Sequence, residues 1–148
     1  MTLSDGRQLT DEGAKKTLLP VVINRITLLL TDCEVAAERM AKKNGYTQLF
    51  EIVDSIGPPD SSTLQSVLMM ATPGDKKRIR NIKPVDHLIR WVYTTDYENP
   101  SQQVWLTGAI NDLCTANIQN RMLCCQVWSI TFPLVFSAIK VTIFLQKL

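Results

Sequence analysis

The chain holds a single histidine, His87, so a zinc site or a histidine-based acid–base centre has almost nothing to draw on. Its four cysteines, Cys33, Cys114, Cys124 and Cys125, form no C-x-x-C pair, and adjacent cysteines such as 124 and 125 rarely bond to each other. Reduced thiols in a cytosolic protein are the simplest account. Gly45, Gly57, Gly74 and Gly108 stand singly, so there is no glycine-rich loop to cradle a phosphate. Carboxylates are scattered, as at Asp11-Glu12, rather than paired for catalysis. The first residues, MTLSDGRQLTDEGAKK, lack the apolar core of a signal peptide, and the one N-x-S/T match, at Asn99, is disqualified by Pro100. A net charge of +2 is too small to argue for nucleic acid. No metal, cofactor or small-molecule substrate is expected.

What is present is an ordinary globular composition, 45% hydrophobic and 20% charged, in 148 residues. That length suits one domain with a real core, or about three helical repeats. The most informative stretch is PSQQVWLTGAINDLCTANIQNRMLCCQ, residues 100–126. Val104, Trp105, Ala109, Ile110 and Leu113 fall at helical spacing, with Ser101 placed as N-cap behind Pro100. A polar corner, Thr115 to Asn120, leads to a short second helix, Arg121 to Gln126. Such a unit buries one face and needs a neighbour to stack on.

Related units precede it. Leu30 stands before TDCEVAAERMAKKNG much as Leu113 stands before CTANIQNRMLCCQ, and Arg39-Met40 parallels Arg121-Met122 with one residue of slippage. A third helix end lies at Leu68. The anchors Leu30, Leu68 and Leu113 are spaced by 38 and 45 residues, near the roughly 40–47 of HEAT and armadillo units. The expected fold is all-α: armadillo/HEAT-like stacked helices.

Taken in order, residues 1–13 read as a flexible start, 14–126 as the repeat region and 127–148 as an apolar tail. Leu18, Leu19, Val22, Ile23, Ile26, Leu29 and Leu30 give a stripe wide enough for burial on more than one side, with Pro20 marking the first turn of its helix. Thr31 with Glu34, and Ser62 with Gln65, read as capping boxes. Asn44-Gly45 and Gly57-Pro58-Pro59 read as helix stops. After Gln126 the composition turns aromatic and β-branched. The stretch 127–145 is close to the ~20 apolar residues of a membrane span, although Pro133 and Lys140 interrupt it.

The stretches TTDYENPSQQVWLTGAINDLCTANIQNRMLCCQ and TDCEVAAERMAKKNGYTQLFEIVDSIG resemble the armadillo-like region of BEACH-domain proteins, closest to the neurobeachin-like branch. The resemblance covers residues 14–126 and departs at Gln126. It implies a fragment or short isoform of a very large cytosolic scaffold of membrane traffic, with protein partners and no enzyme activity. The rival expectation is a small protein anchored in a membrane by residues 127–145.

Three groups of residues stand out. The run Lys76, Lys77, Arg78, Arg80 and Lys83 could meet an acidic partner or anionic lipid head groups, or be a solvated loop between repeats. The aromatics Trp91, Tyr93, Tyr97 and Trp105 gather around one linker and could line a peptide groove, although core and corner packing is the simpler role for both tryptophans. A Cys–His pair would require His87 beside Cys114 or Cys124; a capping or surface role for this histidine is the simpler reading.

Overall fold

The computed structural model describes residues 11–74, 77–94 and 99–131, with side chains as far as Val127. Among these residues are seven helices and no strand, so the all-α class expected from the periodicities is observed. They are α1 (Asp11–Asp32), α2 (Glu34–Lys42), α3 (Gly45–Ile56), α4 (Ser61–Ala71), α5 (Ile82–Thr94), α6 (Pro100–Thr115) and α7 (Ile118–Thr131).

The long α1 lies against α4 and touches α2 and α3. Consecutive helices then pack in pairs, α4 on α5 and α6 on α7, and α5 also meets α3, α6 and α7. The core accordingly centres on α5. Its apolar residues repeat every three to four positions, and Val85, Leu88, Ile89, Trp91 and Val92 are all buried. Phe50 and Val53 from α3, Leu64 and Val67 from α4, and Leu106 and Ile110 from α6 close around them.

The helix ends revise several local expectations. Thr31 is not an N-cap; it lies in the last turn of α1, where its hydroxyl donates to the Thr27 carbonyl at 2.8 Å. With that hydroxyl satisfied one turn back, α1 runs on to Asp32, and Cys33 starts α2 without a side-chain cap. At α4 the cap is Asp60, not Ser62: its carboxylate accepts from the Thr63 N–H at 2.8 Å. At α6 it is Asn99 rather than Ser101. Pro100 has no N–H to lose and fits the first helical position, which puts the cap at the residue before it, two upstream of Ser101. Asn99 Oδ1 then accepts from both the N–H and the hydroxyl of Ser101. Pro20 sits well inside α1, which begins at Asp11 with Asp11 and Glu12 favourably placed in its first turn.

The stop at Asn44-Gly45 is as read: Asn44 adopts φ 55°, and a Cβ on Gly45 would come within 2.7 Å of the Met40 side chain. The second helix of the last unit is longer than Arg121–Gln126. Nothing from Cys125 to Thr131 breaks a helix, so α7 crosses the expected boundary at Gln126 and buries Val127. Residues 132–148, the rest of the apolar tail, lie outside the described residues.

Candidate functional site

The basic run occupies the connection between α4 and α5, and this connection is anchored to α7. Asn117 opens α7 by accepting the Asn120 N–H at 2.8 Å, and its amide donates to the Lys77 carbonyl at 2.6 Å. Asn120 is fully buried. Its amide nitrogen donates to the Lys77 and Leu113 carbonyls, both at 2.8 Å, and its oxygen accepts the Ile79 N–H at 2.9 Å. On the other side, the Arg80 and Asn81 N–H groups both donate to the Ala71 carbonyl. The buried Ile79 plugs the loop into the core. Lys77, Arg78 and Arg80 stay exposed on this pinned loop and Lys83 on the first turn of α5, while Lys76 lies outside the described residues.

Beside this loop a groove of about 650 Å³ opens between α4 and α6. The two helices run side by side: the Gln102 amide reaches the Ser61 hydroxyl at one end, and Thr72 and Ala116 flank the other. They are not a closely packed pair. Of their facing residues Gln65, Met69, Asp112 and Ala116 stay exposed, Leu68 and Ala109 are partly covered, and Thr72 and Leu113 are buried. Gln65, Leu68, Met69 and Thr72 form one wall and Ala109, Asp112, Leu113 and Ala116 the other, each set at i, i+3, i+4, i+7 spacing, with Lys77 at the loop end. Met69 is 41% exposed in the α4 wall.

The aromatics do not gather into one site. Trp91 is buried against α3, its indole N–H donating to Asp54 Oδ1 at 2.6 Å. Tyr93 is exposed on α5, and Tyr97 lies outside the described residues. Trp105, 38% exposed, stands one turn before Ala109 on the stripe that forms the α6 wall.

His87 belongs to a cluster on α3 and α5, away from any thiol in its resolved contacts. Its Nε2 lies 3.0 Å from Asp54 Oδ2, its ring stacks on Phe50 at 4.7 Å, and Trp91 meets it edge-on at 4.7 Å. Burial lowers its pKa below the ordinary histidine value, and this outweighs the opposing pull of the Asp54 charge and hydrogen bond. The expected capping or surface role is therefore not what the structure shows; His87 is a half-buried packing residue. Cys114 and Cys124 instead face each other. The interaction between the two thiols, together with burial, raises Cys114, while the same interaction lowers Cys124 against the opposing effect of burial. Both are buried, and all four cysteines are free.

Two groups were missed in the sequence. The Asn117/Asn120 clamp does leave a local trace, since asparagine at N-cap and N3 is a helix-start pattern, but its loop partners are about forty residues away. The Asp54–His87–Trp91 arrangement leaves no local trace, because it joins α3 to α5. No helix among the described residues is long and apolar enough to cross a membrane, and most of the 127–145 segment lies outside them. No protein-family model matches the chain. No solved structure matches it either.

Proposed function

We propose that this chain is a non-enzymatic scaffold of stacked helices, an armadillo-like segment of the BEACH type, that holds protein partners in membrane traffic on the cytoplasmic side of endomembranes. The sequence resemblance motivates the family and the setting. The anchors Leu30, Leu68 and Leu113 fall on α1, α4 and α6, and each of these helices packs against a following one within its unit, which supports the stacked arrangement.

The groove between α4 and α6 carries the binding role. Two walls of matched helical stripes, apolar along most of their length, suit the apolar face of an amphipathic helix laid between them. An exposed methionine adapts such a wall to different side chains. Asp112 on one wall and Lys77 at the end offer charges that fix the direction of the guest helix. The Asn120 clamp keeps the loop that closes this end in place, so little ordering is left to occur on binding.

The test compares the wild-type chain with the double variant M69E/A109E, both shown by circular dichroism to be folded. Proteins captured by the wild type and lost by the variant are reduced to their amphipathic helices, and these peptides are titrated against both chains. Peptide binding by the wild type, weakened at least about tenfold in the variant, supports the reading. If no captured protein depends on the groove, or if the peptides bind both chains equally, the groove is not the binding site.

A further inference from the structure

The outer face of α1 is apolar and uncovered. Leu18, Val21, Val22, Leu28 and Leu29 are 39–61% exposed. Val21 and Val22 lie three and four residues after Leu18, and Leu28 and Leu29 seven residues after them, so the five form a single stripe. It lies opposite the face formed by Ile23, Thr27 and Leu30, which is buried against the rest of the fold. A surface helix normally has one apolar stripe; α1 has two, on opposite sides. An exposed stripe of this kind marks an interaction surface.

The charges on the stripe indicate what covers it. Leu18, Arg25 and Asp32 are seven residues apart and share its midline. Arg25 and Asp32 are both exposed, and neither has an ion-pair partner among the described residues. We infer that α1 pairs with α1 of a second copy of this chain, antiparallel, about a two-fold axis between Leu28 and Leu29. In that register Leu28 and Leu29 pack on their counterparts, and each Arg25 faces Asp32 of the second copy. An axis at Arg25 itself would instead set like charges together, which disfavours it. Because α1 ends at Asp32, the two helices overlap in this register over residues 25–32 only, and Leu18, Val21 and Val22 lie beyond the end of the second copy's α1. So short an overlap makes the dimer weak, with a Kd of roughly 100 µM. This pairing is independent of the α4–α6 groove.

Sedimentation equilibrium of the full chain from about 1 to 500 µM tests it, brackets set on either side of the expected Kd. The wild type should pass from monomer to dimer. L28E should remain monomeric with unchanged helicity. R25D and D32R should each weaken association about tenfold or more, since each sets two pairs of like charges face to face. Mixed in equal amounts, these two variants should associate again, because R25D then offers two acids to the two arginines of D32R. A wild-type chain that stays monomeric throughout, or an L28E chain that still dimerises, overturns the proposal. So does a mixture of the single variants that fails to associate. If the monomeric wild type binds phosphatidylserine vesicles and L28E does not, the stripe belongs to a membrane surface instead.

Discussion

Helices α1 and α5 are both rich in large apolar residues, yet they end in opposite situations. The apolar residues of α5 lie on one side and are enclosed by α3, α4, α6 and α7. Those of α1 lie on two sides, and only one is covered, chiefly by α4. Apolar content therefore predicted burial correctly for α5 and overpredicted it for α1. The difference is positional: α5 has neighbours along its whole apolar side, whereas α1 has them on one of its two apolar sides only.

The largest expected effect lies on α5. Leu88 is fully buried, and Leu88→Ala should destabilise the fold by about 3–4 kcal/mol through lost transfer energy and the cavity left behind. Urea denaturation followed by circular dichroism measures this. A loss below about 1 kcal/mol would remove α5 from its central place.

Next comes the clamp that ties the α4–α5 loop to α7. Asn120→Ala leaves the Ile79 N–H and the Leu113 carbonyl buried without their partner. The expected cost is about 2–3 kcal/mol. Hydrogen exchange should show the amide of Ile79 losing protection more than the amides of α1. Uniform loss along the chain would show that the clamp holds the whole fold rather than one loop.

A pH effect distinguishes α5 from α1 without removing any packing. The folded-state pKa of His87 is lowered, mainly by burial, while Asp54 and Asp86 raise it and Arg90 lowers it further. The unfolded chain therefore binds a proton more readily. Stability due to neutral His87 is fully present above the ordinary histidine value of about 6.5, and it is lost as pH falls below that value toward the folded pKa. Thermal melts between pH 7.5 and 5 should fall faster for the wild type than for His87→Gln. Equal slopes would show that His87 does not contribute to the pH response.

The smallest effect belongs to the open face of α1. Leu29 is 61% exposed, so Leu29→Ala, measured at a dilution where the chain is monomeric, should change stability by no more than about 0.5 kcal/mol. A loss of 2 kcal/mol or more would mean that this face is covered within a single chain.

Much of the helical layout was legible along the chain. The breakers at Asn44-Gly45 and Gly57-Pro58-Pro59 placed the ends of α2 and α3, and the spacing of Val85, Leu88, Ile89 and Val92 placed the inner face of α5. The caps were harder to place by pattern, because several residues compete within one turn. Asp60 caps in place of Ser62 and Asn99 in place of Ser101, and Thr31 satisfies its hydroxyl inside α1 instead of capping α2. The candidate site was legible only in part. The basic run marked the loop beside the groove, but nothing local revealed that α4 and α6 would leave a gap between them. Trp105 falls on the stripe that leads to that gap, whereas Trp91 turns inward to Asp54.

The sequence by itself determined that the chain is helical and where most helices stop, because periodicity, proline and left-handed turns act over a few residues. It also determined the wide apolar surface of α1, suited to burial on more than one side, which the fold divides into two stripes. Only the tertiary structure decided which of those stripes is buried, that His87 lies beside Asp54 rather than a cysteine, and that Asn120 holds a loop about forty residues away in the chain. Each of these depends on which helices become neighbours, and that is settled by the packing of the whole set.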